Sequence, residues 1–214
     1  MKRQNDLLRL TRFEFYKLIS TRSFYICSAI LFVLVGVTAY TSYMMIDQLG
    51  DFAELTDTYK SMTSLGGVMT ALTSGSISLM LAIFISIFVC EDYTIGTIRN
   101  ILSRGYSRLS VFVSKYIAVV AATVVMAVIC LISGTVFGLI LFDKGDVSFG
   151  GNQILTLLVQ FVVILAYATV FFAVAVLLQK SGTAMAFSIA VPIVLAPLLT
   201  LADTALKDKN ISLS

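Results

Sequence analysis

The side chains best suited to chemistry run from position 91 to 108: Glu91-Asp92-Tyr93-Thr94-Ile95-Gly96-Thr97-Ile98-Arg99-Asn100-Ile101-Leu102-Ser103-Arg104-Gly105-Tyr106-Ser107-Arg108. This stretch has the parts of a short helix standing free of the bilayer. Thr94 can cap its start, with Glu91 and Asp92 near the positive end of the dipole. Arg99 and Arg104 fall towards the negative end, and Gly105 suits the left-handed residue that closes a helix. Gly96 inside such a helix costs about 1 kcal/mol relative to Ala, so a supporting surface is expected. Ile98, Ile101 and Leu102 supply a small apolar face. The alternative is a polar loop whose arginines only set topology.

The missing residues narrow the chemistry further. With His 0 the chain lacks the commonest general base and metal ligand, which counts against Ser–His and zinc membrane proteases and His-ligated haem. The cysteines Cys27, Cys90 and Cys130 fall in or beside apolar runs, with no metal or redox spacing, and read as small buried hydrophobes. No G-x-x-x-x-G-K-[ST] loop occurs, so ATP-driven work would need another chain. No catalytic residue, bound metal, cofactor or nucleic-acid partner is expected of this chain.

The elements that position segment 91–110 are membrane spans. The chain of 214 residues is 58% hydrophobic and 13% charged, too little charge to cover a soluble surface. A bilayer core about 30 Å thick takes roughly 20 apolar residues in a helix. Stretches near 24–45, 67–90, 115–142, 154–178 and 182–202 qualify, which makes 1–214 one all-α membrane domain of five spans. None carries an ionisable residue near its middle, and Lys115 is expected to snorkel from a span end. No cleavable signal is apparent, since the first 23 residues are polar and basic.

Orientation follows from charge. Lys2, Arg3, Arg9, Arg12, Lys17 and Arg22 precede the first span; Arg99, Arg104 and Arg108 lie in the second connection, and Lys180 in the fourth. The first and third connections are acidic, with Asp47, Asp51, Glu54 and Asp57 against Lys60, then Asp143 and Asp146 against Lys144. This alternation places the N-terminus in the cytoplasm. With five spans the tail from Asp203 falls outside, and a sixth span beyond the given residues is expected. Residues 1–23 read as an interfacial amphipathic helix, with Leu7, Leu8, Phe15, Leu18 and Ile19 on one side and Asp6, Arg9, Lys17 and Ser20 opposite. Leu10 and Phe13 interrupt its polar face.

The run Glu91-x4-Gly96-Thr97-Ile98-Arg99-Asn100-x-Leu102-Ser103-Arg104-Gly105-x-Ser107-Arg108, followed by Ser114-Lys115, closely resembles the signature of type-2 ABC exporter permeases. Many members of that family carry Pro near the position of Gly105; the Gly form looks more like the branch tied to peptide-antibiotic resistance. The resemblance implies a bacterial plasma-membrane permease that usually has six spans. It implies that Glu91, Gly96, Thr97, Arg99, Arg104, Gly105, Ser107 and Arg108 couple to an ATP-binding subunit, present in two copies with ATP and Mg held there. A second permease chain, identical or paralogous, would complete the assembly.

Within the membrane, Gly67, Thr70, Ser74 and Ser78 recur at helical spacing, as a helix-packing stripe or a lining of the transport path. Gly134 and Gly138 form a G-x-x-x-G, and Pro192 and Pro197 should break or kink the last span. The leading expectation is an exporter of amphipathic peptide or lipid-like cargo. The alternatives are a sodium exporter of the same family and an ion-coupled transporter or channel, which generally needs charge at membrane depth. A membrane protease with a Glu-Glu-x3-Arg motif is only faintly echoed by Glu91-Asp92.

Overall fold

The computed structural model of the protein describes residues 2–48, 75–103, 105–141 and 151–194. All elements there are helices: α1 Lys2–Ser20, α2 Arg22–Gln48, α3 Ser76–Ile95, α4 Thr97–Ser103, α5 Arg108–Leu141, α6 Gly151–Leu178 and the shorter apolar α7 Ser181–Val194. Four of them, α2, α3, α5 and α6, are long and apolar enough to cross a bilayer. The expected fifth span is represented by α7, whose continuation past Val194 lies outside the described residues. The helix continues through Pro192 without breaking, and Pro197 is beyond the described part.

The most enclosed helix is α3, with α2, α5 and α6 packed around it. Its residues Leu81, Phe84, Ile85, Phe88 and Val89 are fully buried, and rings of Phe84 and Phe88 stack at 5.6 Å. By contrast α2 turns most of its surface outward, including Ile26, Ile30, Val33 and Val37, as a lipid-facing helix does. Where α2 meets α5 the approach is close. A Cβ built on Gly36 would stand 2.7 Å from the Phe137 ring, so only glycine lets that ring pass. Ser133, Gly134 and Gly138 are likewise buried on α5.

The stripe of Gly67, Thr70, Ser74 and Ser78 reaches the described residues at Ser78, since α3 starts at Ser76 after Gly75 at φ 72°. Ser78 sits in the first turn and donates to the Gly75 carbonyl at 2.7 Å; it is partly exposed, and the other three residues lie outside the described part. On α1, the side expected to be the apolar face meets the bundle only in part: Leu18 is buried, but Leu8 is 68% and Ile19 61% exposed. The buried stripe is Leu10, Glu14 and Leu18, spaced by four, against α5.

Candidate functional site at the basic end of the bundle

Segment 91–108 is built differently from a free helix standing in solvent. Glu91 to Ile95 complete the last turn of α3, and Thr94 Oγ1 donates back to the Cys90 carbonyl at 3.1 Å instead of capping a new helix. Gly96 is the left-handed residue that ends α3, at φ 76°. It therefore lies between helices, not within one. The separate helix α4 is seven residues long, Thr97–Ser103. Gly105 at φ 85° closes the corner, as its position in the sequence suggested. Ser107 then caps α5: its Oγ accepts from Ser110 N at 3.2 Å, and its carbonyl accepts from Val111 N.

Beneath this corner lies a group of charges drawn from three helices. Lys115 of α5, only 3% exposed, pairs with Glu14 of α1 at 3.5 Å and donates to Asp92 of α3. Asp92 also accepts from Lys17 of α1, which reaches Glu91 at 3.6 Å. Glu14 is 1% and Asp92 4% exposed, whereas Glu91 stands at the rim. Both ammonium groups lie over the Phe88 ring, at 5.3 Å and 5.6 Å from its centre. Glu14 Oε2 is buried without a hydrogen-bond partner.

The expected snorkelling of Lys115 is thus corrected. The helix that holds it begins at Arg108, so Lys115 is two turns inside α5 and covered by α1. Its ammonium finds carboxylates in place of water, which is what a charge taken out of solvent requires. Sequence reasoning passed over Glu14 and left Lys17 on a solvated face. The available signal was an acid, Glu14, four residues from both Leu10 and Leu18 in a mainly basic helix.

Around the corner the remaining candidates take separate places. Thr97, Asn100 and Ile101 of α4, with Tyr106, form one wall of a groove of about 390 Å³ whose other wall is Arg9, Leu10 and Phe13 of α1. Arg108 faces a different cleft, on the α5–α6 side of α4. The side chain of Arg99 and the whole of Arg104 lie outside the described residues.

Among the described residues no cluster of His, Cys, Asp or Glu has the make-up of a metal site. The arrangement is a short helix between two left-handed glycines, beside α1, which is tied to α3 and α5 by buried charge. Residues 8–210 match the family model described as ABC-2 family transporter protein. No curated protein and no solved structure matches the chain.

Proposed function

We propose that this chain, which belongs to the ABC-2 transporter family, is the permease subunit of an ATP-driven exporter. The observation that supports this reading is the groove between α1 and α4. Both walls are fixed to the end of α3, one by the Gly96 hinge and the other by the Glu14, Lys17, Asp92 and Lys115 pairs. A knob from an ATP-binding subunit seated there would push α1 and α4 together, and α3 and α5 would carry the displacement into the bilayer. Arg9 on one wall offers a cation for an acidic edge of that subunit.

In this reading Glu91, Gly96, Thr97, Arg99, Arg104, Gly105, Ser107 and Arg108 form the coupling segment, with Ser107 acting as the cap that sets where α5 begins. Two ATP-binding subunits carry ATP and Mg, and a second permease chain, identical or paralogous, completes the path. The N-terminus is cytoplasmic and the membrane is the plasma membrane. The cargo is an amphipathic peptide or a lipid-like molecule, in keeping with helices whose outward faces are apolar.

The test is ATPase retention on the purified permease together with transport-linked ATPase activity. The combined Glu91→Ala, Gly96→Val, Arg99→Ala variant, expressed at wild-type level, is expected to lose both. Normal activity and retention in that variant would reduce the segment to a topology signal.

A further inference from the structure

The charge group beneath the α3–α4 corner is unequal. Three carboxylates, Glu14, Glu91 and Asp92, meet two ammonium groups, Lys17 and Lys115, and no other cation pairs with them among the described residues. An excess negative charge beside groups held out of solvent favours any cation within reach. One such cation stands across an open cleft. The cleft, about 480 Å³, lies between the end of α3 and the junction of α6 with α7. Asp92, Tyr93, Thr94 and Gly96 line it from the first, and Leu178, Gln179 and Lys180 from the second. Lys180 is exposed and pairs with no carboxylate among the described residues.

The main chain holds this lysine in place. Only Gln179 and Lys180 join α6 to α7. Gln179 sits at φ 55°, a conformation uncommon outside glycine, asparagine and aspartate, and its N–H donates to the Ala175 carbonyl at 3.0 Å. The Lys180 carbonyl accepts from Ala184 N at 2.9 Å and from Thr183 Oγ1 at 3.1 Å, so it anchors the start of α7. A free anion in the cleft would gain Lys180 but face Asp92, and a free cation would meet the reverse. The two walls answer each other better than either ion answers both. We propose that this cleft is the open state of a latch: the α6–α7 junction closes on the end of α3, and the Lys180 ammonium joins the Asp92 carboxylate. Closure matches the three carboxylates with three cations. It ties the fourth connection of the chain to the start of the second, so that both corners at the basic end move together. None of the lining residues belongs to α1, so the latch works whether or not a subunit occupies the α1–α4 groove.

The experiment measures disulfide formation between Thr94→Cys and Gln179→Cys, one from each side of the cleft, in the full chain in detergent and in a background lacking Cys27, Cys90 and Cys130. Rates are divided by the reactivity of each single cysteine towards a neutral methanethiosulfonate, which removes the effect of Lys180 on the thiols themselves. The pair is expected to cross-link while Lys180 is present. Lys180→Gln should slow the reaction roughly threefold, as loss of one partly exposed ion pair implies, and Lys180→Arg should keep the rate. In an Asp92→Asn chain, Lys180→Gln should have no further effect. Absence of the cross-link with Lys180 present overturns the proposal, as does a rate that Lys180→Gln leaves unchanged. A rate raised by Lys180→Gln overturns it too, because loss of a merely structural contact loosens the corner. So does an equal fall in Lys180→Arg, or an undiminished effect of Lys180→Gln in the Asp92→Asn chain.

Discussion

Replacing Lys115 by methionine tests whether the buried charges hold α1 to the bundle. Lys115 serves two carboxylates, Glu14 and Asp92, each less than a twentieth exposed. Asp92 keeps Lys17 when Lys115 is removed, but Glu14 keeps nothing. A buried charge stripped of its partner costs about 3–5 kcal/mol. In a chain of this length that lowers the thermal midpoint by roughly 10 °C. Glu14→Gln is a different matter. It leaves Lys115 on Asp92 and removes a carboxylate whose Oε2 already lacks a hydrogen-bond partner, so the expected cost is only about 1 kcal/mol. The double variant Glu14→Gln, Lys115→Met leaves Asp92 with Lys17 as an intact pair and should recover about 2 kcal/mol of the Lys115→Met loss. The assay is thermal unfolding in detergent, read by the fraction that remains monodisperse on size exclusion, with Arg9→Met as the exposed control. A Lys115→Met protein as stable as Arg9→Met, or a double variant no better than Lys115→Met, refutes the argument.

Gly96→Ala and Gly105→Ala should each cost about 1–2 kcal/mol through φ alone, because a Cβ at either position meets nothing within 4 Å. Gly96→Asn, which tolerates that φ better, should restore most of the transport-linked ATPase activity lost by Gly96→Ala. At Gly36 the origin is steric: Gly36→Leu meets the Phe137 ring and should cost about 1–3 kcal/mol of stability, read by thermal unfolding, with Phe137→Ala relieving part of it in the double variant. For topology, a cysteine at Ser103 should escape an impermeant thiol reagent in intact cells and one at Thr56 should react, in a background lacking Cys27, Cys90 and Cys130. The reverse labelling pattern would invert the orientation.

What the sequence disclosed and what it hid divide along a physical line. Apolar runs are local and long, so α2, α3, α5 and α6 are legible from hydropathy alone. Gly105 at a helix end is legible too, since left-handed φ selects glycine over short range. The pairing of Lys115 with Glu14 spans about a hundred positions and leaves no local trace. The same distance explains the misplaced face of α1. An isolated helix is read by its best apolar arc, which here is Leu7, Leu8, Phe15, Leu18 and Ile19, with Leu18 buried and Leu8 and Ile19 exposed. The arc that meets α5 includes a glutamate and a lysine that become acceptable only because each finds a counter-charge there. That α5 starts ahead of the apolar run has a related reason. Arg108 to Lys115 look interfacial by composition, but Ser107 caps a helix that includes them.

The buried charges also bear on the rival ion-coupled reading, whose main objection was the lack of charge at membrane depth. That objection fails as first put, since Lys115, Asp92 and Glu14 are within or against the spans and out of solvent. A different objection replaces it. Lys115 is seven positions beyond Arg108, about 10 Å along α5 at 1.5 Å per residue, so the cluster sits at one end of the bundle and not at its midplane. A coupling site must exchange its ion with both sides, and the groups that carry it must change partners. Here Asp92 is held by two ammonium groups from different helices, and both of those lie over Phe88. Each ammonium also has a second carboxylate, Lys17 in Glu91 and Lys115 in Glu14, so protonating Asp92 alone would leave both paired and the cluster closed. A cluster that stays closed when one of its carboxylates is protonated is poorly suited to a carrier that must release its charge every cycle.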